Sequence, residues 1–213
     1  MKTIVINMDG ENYNIDLNEL EFNNGLAIYS IKKKSWRYNE EIEYTGVVDE
    51  SGVIVLPHQA YYMNIDIFPG KSLIVKVRKG NDEGTVTWTE TRHYKYNGFR
   101  MEMVNDKISS SYEKVSNTVI KTSTIDECGK KCQVLYDVVI AQTISEYFSK
   151  IGDFEMRPNG EELACATTRL EVGERSYDMD CYINKSGVIR SPIYNSYQNN
   201  IMIFDTQSIC FIH

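Results

Sequence analysis

The chain has 213 residues, with 23 Lys and Arg against 30 Asp and Glu, which gives a formal net charge of −7. Hydrophobic residues make up 42% and charged residues 25%, as in soluble globular proteins, so wholesale disorder and collagen-like or disulfide-stabilised small folds are excluded. The acidic balance also argues against nucleic-acid or anionic-membrane partners, because both bind clustered Lys and Arg. The 15 Tyr, against 4 Pro and 3 His, indicate β-structure more than catalysis.

The N-terminus and the cysteines predict a cytoplasmic protein. The first apolar stretch stops at Ile6, which is too short for the roughly 7–15 apolar residues of a secretory signal. No segment approaches the roughly 18 apolar residues of a membrane span. An odd number of scattered cysteines favours reduced thiols over a disulfide framework: Cys128, Cys132, Cys165, Cys181 and Cys210.

Two β-hairpins are predicted in the first hundred residues. Asp9-Gly10 lies between segments of alternating apolar residues, and this dipeptide favours a two-residue hairpin loop. A second pair of strands is indicated by the alternation in SLIVKVR (72–78) and TVTWT (85–89), on either side of the polar stretch KGNDEG. Tyr94 and Tyr96 indicate a further strand, which the turn pair Asn97-Gly98 would end.

The middle of the chain is predicted to contain two helices. Between residues 106 and 121 the apolar residues fall at helical spacing: Ile108, Tyr112, Val115 and Val119. Residues 133–151 form a clearer apolar stripe: Tyr136, Ile140, Ile144, Tyr147, Phe148 and Ile151. Gly152 follows in the position typical of the residue after a helix. The polar face has mixed charge and no basic cluster, so we expect this helix to pack on the protein's own sheet.

The most informative feature is an internal repeat. VVDESGVIVLP (47–57) matches YINKSGVIRSP (182–192) at a constant offset of 135 residues, which carries Gly52 onto Gly187. The match continues with Tyr62 and Tyr197. After one inserted residue, it extends to three apolar pairs: Ile65, Ile67 and Phe68 with Ile201, Ile203 and Phe204. Leu26-Ala27 and Leu163-Ala164 precede the two copies at comparable places.

Each copy of the repeat predicts a short hairpin. An apolar strand leads into an Asp/Asn-x-Ser-Gly turn in which glycine is free to adopt positive φ. A second strand leaves through Val53-Ile54, and Pro57 is expected to end the pairing because it has no N–H to donate. One such unit buries too little surface to be stable alone, so we expect the copies to pack together.

At these residues the chain resembles the WG-type β-repeats of bacterial proteins. YTGVVDESGVIVLP is the closer copy, with Asn24-Gly25-Leu26-Ala27 supplying the small-residue element before it. DCYINKSGVIRSPIYNSY is the more degenerate copy, since Cys181 replaces the expected glycine. The resemblance covers a quarter to a third of the chain. It implies a β-repeat architecture with a binding or scaffolding role, and no shared catalytic chemistry.

Known catalytic and cofactor motifs are not found. His58, His93 and His213 have no zinc-ligand spacing, and there is no Walker loop, G-x-S-x-G or G-x-G-x-x-G. Cys128-Gly-Lys-Lys-Cys132 has three residues between its cysteines, whereas a redox motif has two. We therefore predict no catalytic residue, no metal and no cofactor.

The candidate binding residues are tyrosines in related places of the two copies: Tyr61, Tyr62, Tyr194 and Tyr197. Paired aromatic rings on a β-surface can anchor a protein or stack on a sugar, although cross-strand packing is the commoner role. We expect a non-enzymatic bacterial or phage protein whose aromatic, acidic surface binds another protein. One form of this hypothesis is an immunity or inhibitor protein that masks a basic toxin. The alternative is a glycan or small-ligand module with a Tyr-lined cleft between the β-units.

The expected fold is α+β and mainly β, with two related antiparallel β-units flanking a helical insert. The predicted boundaries are 1–104 for the N-terminal β-unit, 105–152 for the helical insert and 153–213 for the C-terminal β-unit. The two units are expected to form one pseudo-symmetric body.

Overall fold

A computed structural model describes residues 2–34, 40–80, 87–109, 111–172, 174–191, 193–195, 200–205 and 208–211. For residues 106, 107, 172, 194, 195, 200–205 and 208–211 it describes the backbone alone. The chain divides into two compact units, Met1–Ser110 and Ser111–His213. Within the described ranges, no helix is long and apolar enough to cross a membrane.

The described part of the first unit consists of three antiparallel sheets and one short 3-10 helix, Leu17–Glu19. Strands β1 and β2 form a hairpin, β3 to β5 form a three-stranded sheet, and β6 to β9 form a four-stranded sheet. Their bounds are β1 Thr3–Met8, β2 Glu11–Asp16, β3 Leu26–Lys34, β4 Glu41–Asp49, β5 Ile54–Gln59, β6 Tyr62–Phe68, β7 Ser72–Gly80, β8 Thr87–Tyr96 and β9 Met101–Ile108.

The second unit has two antiparallel sheets in its described part. Strands β10 to β13 follow one another in the first sheet. In the second, β14 and β15 both pair with β16, and β17 to β20 follow in order. Their bounds are β10 Glu113–Lys114, β11 Val119–Ile125, β12 Lys131–Asp137, β13 Gln142–Thr143, β14 Lys150–Ile151, β15 Glu155–Met156, β16 Glu162–Val172, β17 Arg175–Asn184, β18 Ile193–Asn195, β19 Asn200–Asp205 and β20 Ser208–Phe211.

The predicted helical insert is wrong, and so is the α+β class that rested on it. The described residues between 105 and 152 form short strands and turns. The supposed helical stripe does not share one environment, because Phe148 and Ile151 are buried while Ile140 and Tyr147 are about half exposed. Strands β10, β13 and β14 have two residues each, which is too short for a period of two. In β12 the successive residues Val134, Leu135 and Tyr136 are all buried, so apolar and polar residues do not alternate. Gly152 ends no helix, and its N–H donates to the Cys165 carbonyl at 2.8 Å.

Both predicted hairpins of the first hundred residues are confirmed. Asp9 and Gly10 both adopt positive φ and connect β1 to β2. Strands β7 and β8 pair antiparallel in continuous register from Ser72↔Lys95 to Gly80↔Thr87. Tyr94 and Tyr96 belong to β8 itself, and the chain turns at Asn97-Gly98 as expected.

The repeated hairpin turn has the same hydrogen bonds in both copies. Asp49 Oδ1 accepts from the N–H groups of Ser51 and Val53, both at 2.9 Å. Asn184 Oδ1 accepts from the equivalent N–H groups of the second copy, at 3.1 and 3.0 Å. Gly52 and Gly187 have φ of 91° and 78°. The preceding strands also match, because Leu26 pairs with Asp49 as Leu163 pairs with Asn184.

The prediction for Pro57 is wrong. Strand β5 continues through Pro57 to Gln59, which pairs with Thr45 beyond a register shift. An irregularity in the ladder accommodates proline, because the missing N–H then falls outside the regular pairing. Pro192 of the second copy lies outside the described residues.

Two further turns of this kind were missed from the sequence. In the turn from Asp126 to Lys130, Asp126 Oδ1 accepts from the N–H groups of Cys128 and Lys130. In the turn from Arg157 to Glu161, the Arg157 N–H donates to the Glu161 carbonyl and the Gly160 N–H donates to the Arg157 carbonyl. The turn from Asp126 to Lys130 has the same two backbone hydrogen bonds. Here Arg157 occupies the position of the Asp, so the side-chain acceptor is absent from that position.

The sheet β3–β5 is buried on both faces, because successive side chains point to opposite faces and both are apolar at Leu26-Ala27 and at Val47-Val48. One face packs with the hairpin β1–β2 in a core that contains Ile6, Met8, Leu17, Ala27, Tyr29, Ile31 and Val48. The other packs with β6–β8 in a core that contains Leu26, Val47, Val55, Leu56, Ile65, Leu73, Val75, Val77 and Tyr94. The main core of the second unit contains Val119, Leu135, Phe148, Ile151, Ala164, Ala166, Met179, Cys181 and Ile183.

The buried ring of Tyr29 lies over Gly46, its cross-strand partner. A Cβ added to Gly46 would lie 2.6 Å from the Tyr29 ring, closer than any real contact of that kind. In the second copy the equivalent pair is Ala166 and Cys181. A small residue is therefore needed on one of the two strands at this level of the sheet.

Asp49 is expected to stabilise the protein in a pH-dependent way. Burial raises the pKa of Asp49, but hydrogen bonds from Ser51 and Val53 outweigh it and hold the pKa below its ordinary value. The carboxylate therefore stabilises the fold above the unfolded-state pKa of about 4, and this contribution is lost as pH falls through the lower folded pKa. We expect Asp49→Ala to cost about 1–2 kcal/mol at pH 7, in urea unfolding.

Asp49→Asn is the matched variant, because Asn184 performs the same role in the second copy. It should lower the free energy of unfolding less than Asp49→Ala does at pH 7. The difference in free energy of unfolding between Asp49→Asn and the parent protein should shrink towards pH 3. Glu50→Gln, at the exposed neighbouring carboxylate, serves as control. A stability difference that is independent of pH for Asp49→Asn would contradict the assignment.

Gly46→Ala is expected to destabilise the first unit by about 1–3 kcal/mol, because the new methyl group overlaps the immobile Tyr29 ring. The double variant with Tyr29→Leu should cost less than the sum of the two single changes, since the shorter side chain vacates the contact. Urea unfolding of the three variants measures this coupling. Additive costs would show that the overlap is not the cause.

Candidate functional site

The structure places two of the four predicted tyrosines side by side. Tyr61 and Tyr62 lie at the start of β6 with their rings edge to face, 5.7 Å between centroids. Tyr61 is 43% exposed, whereas Tyr62 packs against the core between β3–β5 and β6–β8. Of Tyr194 only the backbone is described, in β18, and Tyr197 lies outside the described residues.

The register of the sheet places alternate side chains of β8 on the same face as Tyr62. Tyr62 pairs with Val77 on β7, and Val77 in turn pairs with Glu90 on β8. Since side chains alternate along a strand, Trp88, Arg92 and Tyr94 share the face of Glu90. Tyr94 is buried in the core, and exposure rises along β8 towards Trp88, which is 47% exposed. This face therefore leaves the core at the Trp88 end.

Hydrogen bonds connect these side chains into one group. The Trp88 indole Nε1 donates to Glu90 Oε1 at 3.1 Å, and Arg92 Nη2 donates to Glu90 Oε2 at 2.9 Å. The Tyr94 phenol lies close to Arg92 and to Tyr62, and its proximity raises the pKa of both groups. We call this group the aromatic network; its members are Tyr61, Tyr62, Trp88, Glu90, Arg92 and Tyr94.

Three members of the aromatic network, Glu90, Arg92 and Tyr62, each keep one charge state around neutral pH. Hydrogen bonds from Trp88 and then Arg92 lower the pKa of Glu90, which stays ionised. Burial lowers the pKa of Arg92, but hydrogen bonds with Tyr94 and Glu90 outweigh it and raise the pKa. Burial, followed by the neighbouring Tyr94 and Tyr61, raises the pKa of Tyr62, which stays neutral. These side chains are arranged for fixed contacts rather than for proton transfer.

Sequence reasoning missed Trp88, Glu90 and Arg92 as site residues. The pattern TVTWT predicts a strand position for Trp88 and no functional role. The alternation in TWTETRHY does place Trp88, Glu90 and Arg92 on one face. The sequence does not show where that face stops being buried. This depends on how far the sheet β3–β5 extends over it.

A second polar cluster lies around His58. The buried Tyr29 hydroxyl is 3.2 Å from His58 Nδ1, and Tyr44 contacts the same imidazole edge to face. Burial raises the pKa of Tyr29 to about 12, so its hydroxyl remains protonated at neutral pH and can donate to the imidazole. This cluster anchors β5 to β3 and β4, and it exposes no large aromatic surface.

The cysteines of the C-x₃-C segment have different environments. Cys128 is exposed in the turn after Asp126, whereas Cys132 is buried in β12 and donates to the Thr124 carbonyl at 3.5 Å. Burial raises the pKa of Cys132, which disfavours its reactive thiolate. In the part of the chain that the structure describes, no three His, Cys, Asp or Glu residues form a group that could hold a metal ion.

No protein-family model, no curated protein and no solved structure matches this chain.

The cysteine environments predict an order of alkylation. In the native protein at pH 7.5, Cys128 should react with iodoacetamide first, because its side chain is exposed. Cys181 should react last, since burial raises its pKa to about 11, and Cys132 should also be protected. Peptide mass spectrometry over time measures the order, with urea-unfolded protein as control. Equal rates for Cys128 and Cys181 in the native protein would contradict the assignment.

Proposed function

We propose that this chain is a non-enzymatic binding protein that engages another protein through the aromatic network. The observation that carries the proposal is the half-exposed pair of aromatic side chains at the end of the sheet β6–β9. Tyr61 and Trp88 are 43% and 47% exposed. Trp, Tyr and Arg are enriched at protein interfaces and dominate interface hot spots.

The hydrogen bonds of the aromatic network support the same proposal. Trp88 is held by Glu90, Glu90 by Arg92, and Tyr61 packs on the half-buried Tyr62. Side chains that are already ordered lose little conformational entropy when a partner binds. The antiparallel sheet below them, with Leu73, Val75 and Val77 fully buried, provides a rigid base.

The resemblance to WG-type β-repeats is consistent with this role, since it implies binding or scaffolding. In the described part of the chain, five-residue turns at 49–53, 126–130, 157–161 and 184–188 connect antiparallel strands. Repeat architectures of this kind present extended surfaces on which individual side chains can vary.

The test is binding of proteins from a lysate of the source organism to the immobilised chain. Trp88→Ala and Tyr61→Ala should each weaken a specific interaction by about 10- to 100-fold, as expected for hot-spot residues. Phe99→Ser is the matched control, because Phe99 is an aromatic residue with 84% exposure beyond the opposite end of β8. Circular dichroism confirms that the variants are folded.

Support requires that a captured protein is lost with Trp88→Ala and retained with Phe99→Ser. A partner that binds the parent protein and Trp88→Ala equally would overturn the proposal, as would the absence of any partner. A neutral glycan that gives a saturable, Trp88-dependent change in fluorescence, without a protein partner, would favour the ligand-binding alternative instead.

A further inference from the structure

Trp88 is the most exposed member of the aromatic network. Its backbone is fixed by pairing with Lys79 on β7, whereas the residue is about half exposed to solvent. Exposed side chains change rotamer within picoseconds to nanoseconds unless a contact holds them. The indole is held by the hydrogen bond from its Nε1 to Glu90 Oε1, at 3.1 Å. The orientation of the Trp88 ring therefore depends on the position of the Glu90 carboxylate.

Glu90 has both of its carboxylate oxygens engaged. Oε1 accepts from the Trp88 indole, and Oε2 accepts from Arg92 Nη2 at 2.9 Å. The Glu90 side chain is 34% exposed, so burial alone does not fix it. A glutamate side chain loses much rotamer freedom when it is held in one place, and a contact must offset that loss. The bond from Arg92 supplies this contact.

Arg92 is the less exposed end of this chain of contacts. Its side chain is 20% exposed, and its Nε is buried with no hydrogen-bond partner among the described residues. The buried Tyr94 lies close to the guanidinium on the same face. Arg92 also lowers the pKa of Tyr62, so its guanidinium lies near that ring as well. Two tyrosines of the core thus enclose the guanidinium, whose Nη2 holds Glu90.

The spacing along β8 separates Arg92 from the exposed end of the aromatic network. Arg92 and Trp88 are four residues apart on one face of an extended strand, which places their Cα atoms about 13 Å from each other. Glu90 lies between them and accepts a hydrogen bond from each. A partner that covers the Trp88 ring therefore has no need to contact Arg92.

We infer that Arg92 is a positioning residue of the binding site: it holds Glu90, and Glu90 holds the Trp88 indole in one orientation. The inference rests on the proposed function and adds that a residue without contact to the partner controls the affinity. The physical reason is conformational entropy, because a side chain that is already fixed has less rotamer freedom to lose when a partner binds.

The first test measures the mobility of Trp88 without any partner. In a Trp36→Phe protein, Trp88 is the remaining tryptophan, and its time-resolved fluorescence anisotropy reports how much of its rotation is faster than the tumbling of the chain. Glu90→Ala and Arg92→Met should each at least about double the amplitude of this fast component, since a restrained side chain becomes mobile. A loss of general stability alone would not change this amplitude in the folded protein.

Arg78→Met is the matched control. It makes the same chemical change at an exposed arginine of β7 whose side chain lies on the opposite face of the sheet from Val77 and Glu90. It should leave the anisotropy of Trp88 unchanged. Circular dichroism and urea unfolding show whether each variant is folded, and Arg92→Gln replaces Arg92→Met if the latter is not.

The second test measures binding, with the protein that the parent chain captures from the lysate as the probe. Arg92→Met should weaken its binding by about 2- to 10-fold, the cost of ordering one side chain. In a Glu90→Ala protein the same substitution should have no further effect, because Arg92 acts through Glu90.

An unchanged anisotropy in Arg92→Met, or equal changes in Arg92→Met and Arg78→Met, would overturn the inference. A loss of binding with Arg92→Met that persists in the Glu90→Ala protein would make Arg92 a contact residue and would overturn it as well. If no protein is captured, or if the captured protein is indifferent to Trp88→Ala, the proposed function fails, whereas the anisotropy still decides whether Arg92 positions Trp88.

Discussion

The structure depends on one local interaction, the hydrogen bond from backbone N–H groups to an Asp or Asn side chain at the end of a strand. At Asp49, Asp126 and Asn184 the side-chain oxygen accepts from residues two and four positions later. This arrangement satisfies N–H groups that would otherwise lack a partner in the turn. It reverses the chain within five residues, so consecutive strands pair with each other and form small antiparallel sheets.

Small sheets cannot be stable alone, and this constraint explains the packing of the first unit. The sheet β3–β5 has apolar side chains on both faces, and it is covered by the hairpin on one face and by β6–β8 on the other. The close contact between Tyr29 and Gly46 follows from the same demand, because the buried ring fills space on the hairpin side of the sheet. The second copy fills the corresponding level with Ala166 and Cys181.

The candidate site arises where this packing ends. Strand β8 begins with exposed residues and becomes buried towards Tyr94, so one face changes from surface to core along its length. Beyond the buried Tyr94, hydrogen bonds connect Arg92 to Glu90 and Glu90 to Trp88. A network anchored in a core at one end and exposed at the other holds its aromatic side chains in place without covering them.

Turn chemistry was the most predictable part of the fold. Asp9-Gly10, Asn97-Gly98 and the repeated Asp/Asn-x-Ser-Gly turns were all located from the sequence, because positive φ at glycine and a short polar side chain act within a few residues. Asp126-Glu-Cys-Gly has the same turn chemistry, with a Cys in place of the Ser of the repeated turns. The helices predicted for residues 106–121 and 133–151 are wrong because some of the strands there have only two residues, and β12 is buried at successive positions, so no period of two appears in the sequence.

The candidate site was only partly predictable. The repeat singled out Tyr61 and Tyr62, whereas Trp88, Glu90 and Arg92 became site residues through the pairing of β6 with β7 and of β7 with β8. Pairing between strands depends on contacts that are distant in sequence and leaves no local pattern.

The sequence by itself determined the turns, the duplicated hairpin, the β-rich character of the chain and its net charge, since these depend on residues close together or on composition. Only the tertiary structure decided which face of each strand is buried and where the face that carries Trp88 leaves the core. The reason is physical: burial and local electrostatic fields are set by neighbours in space, and those neighbours come from different strands.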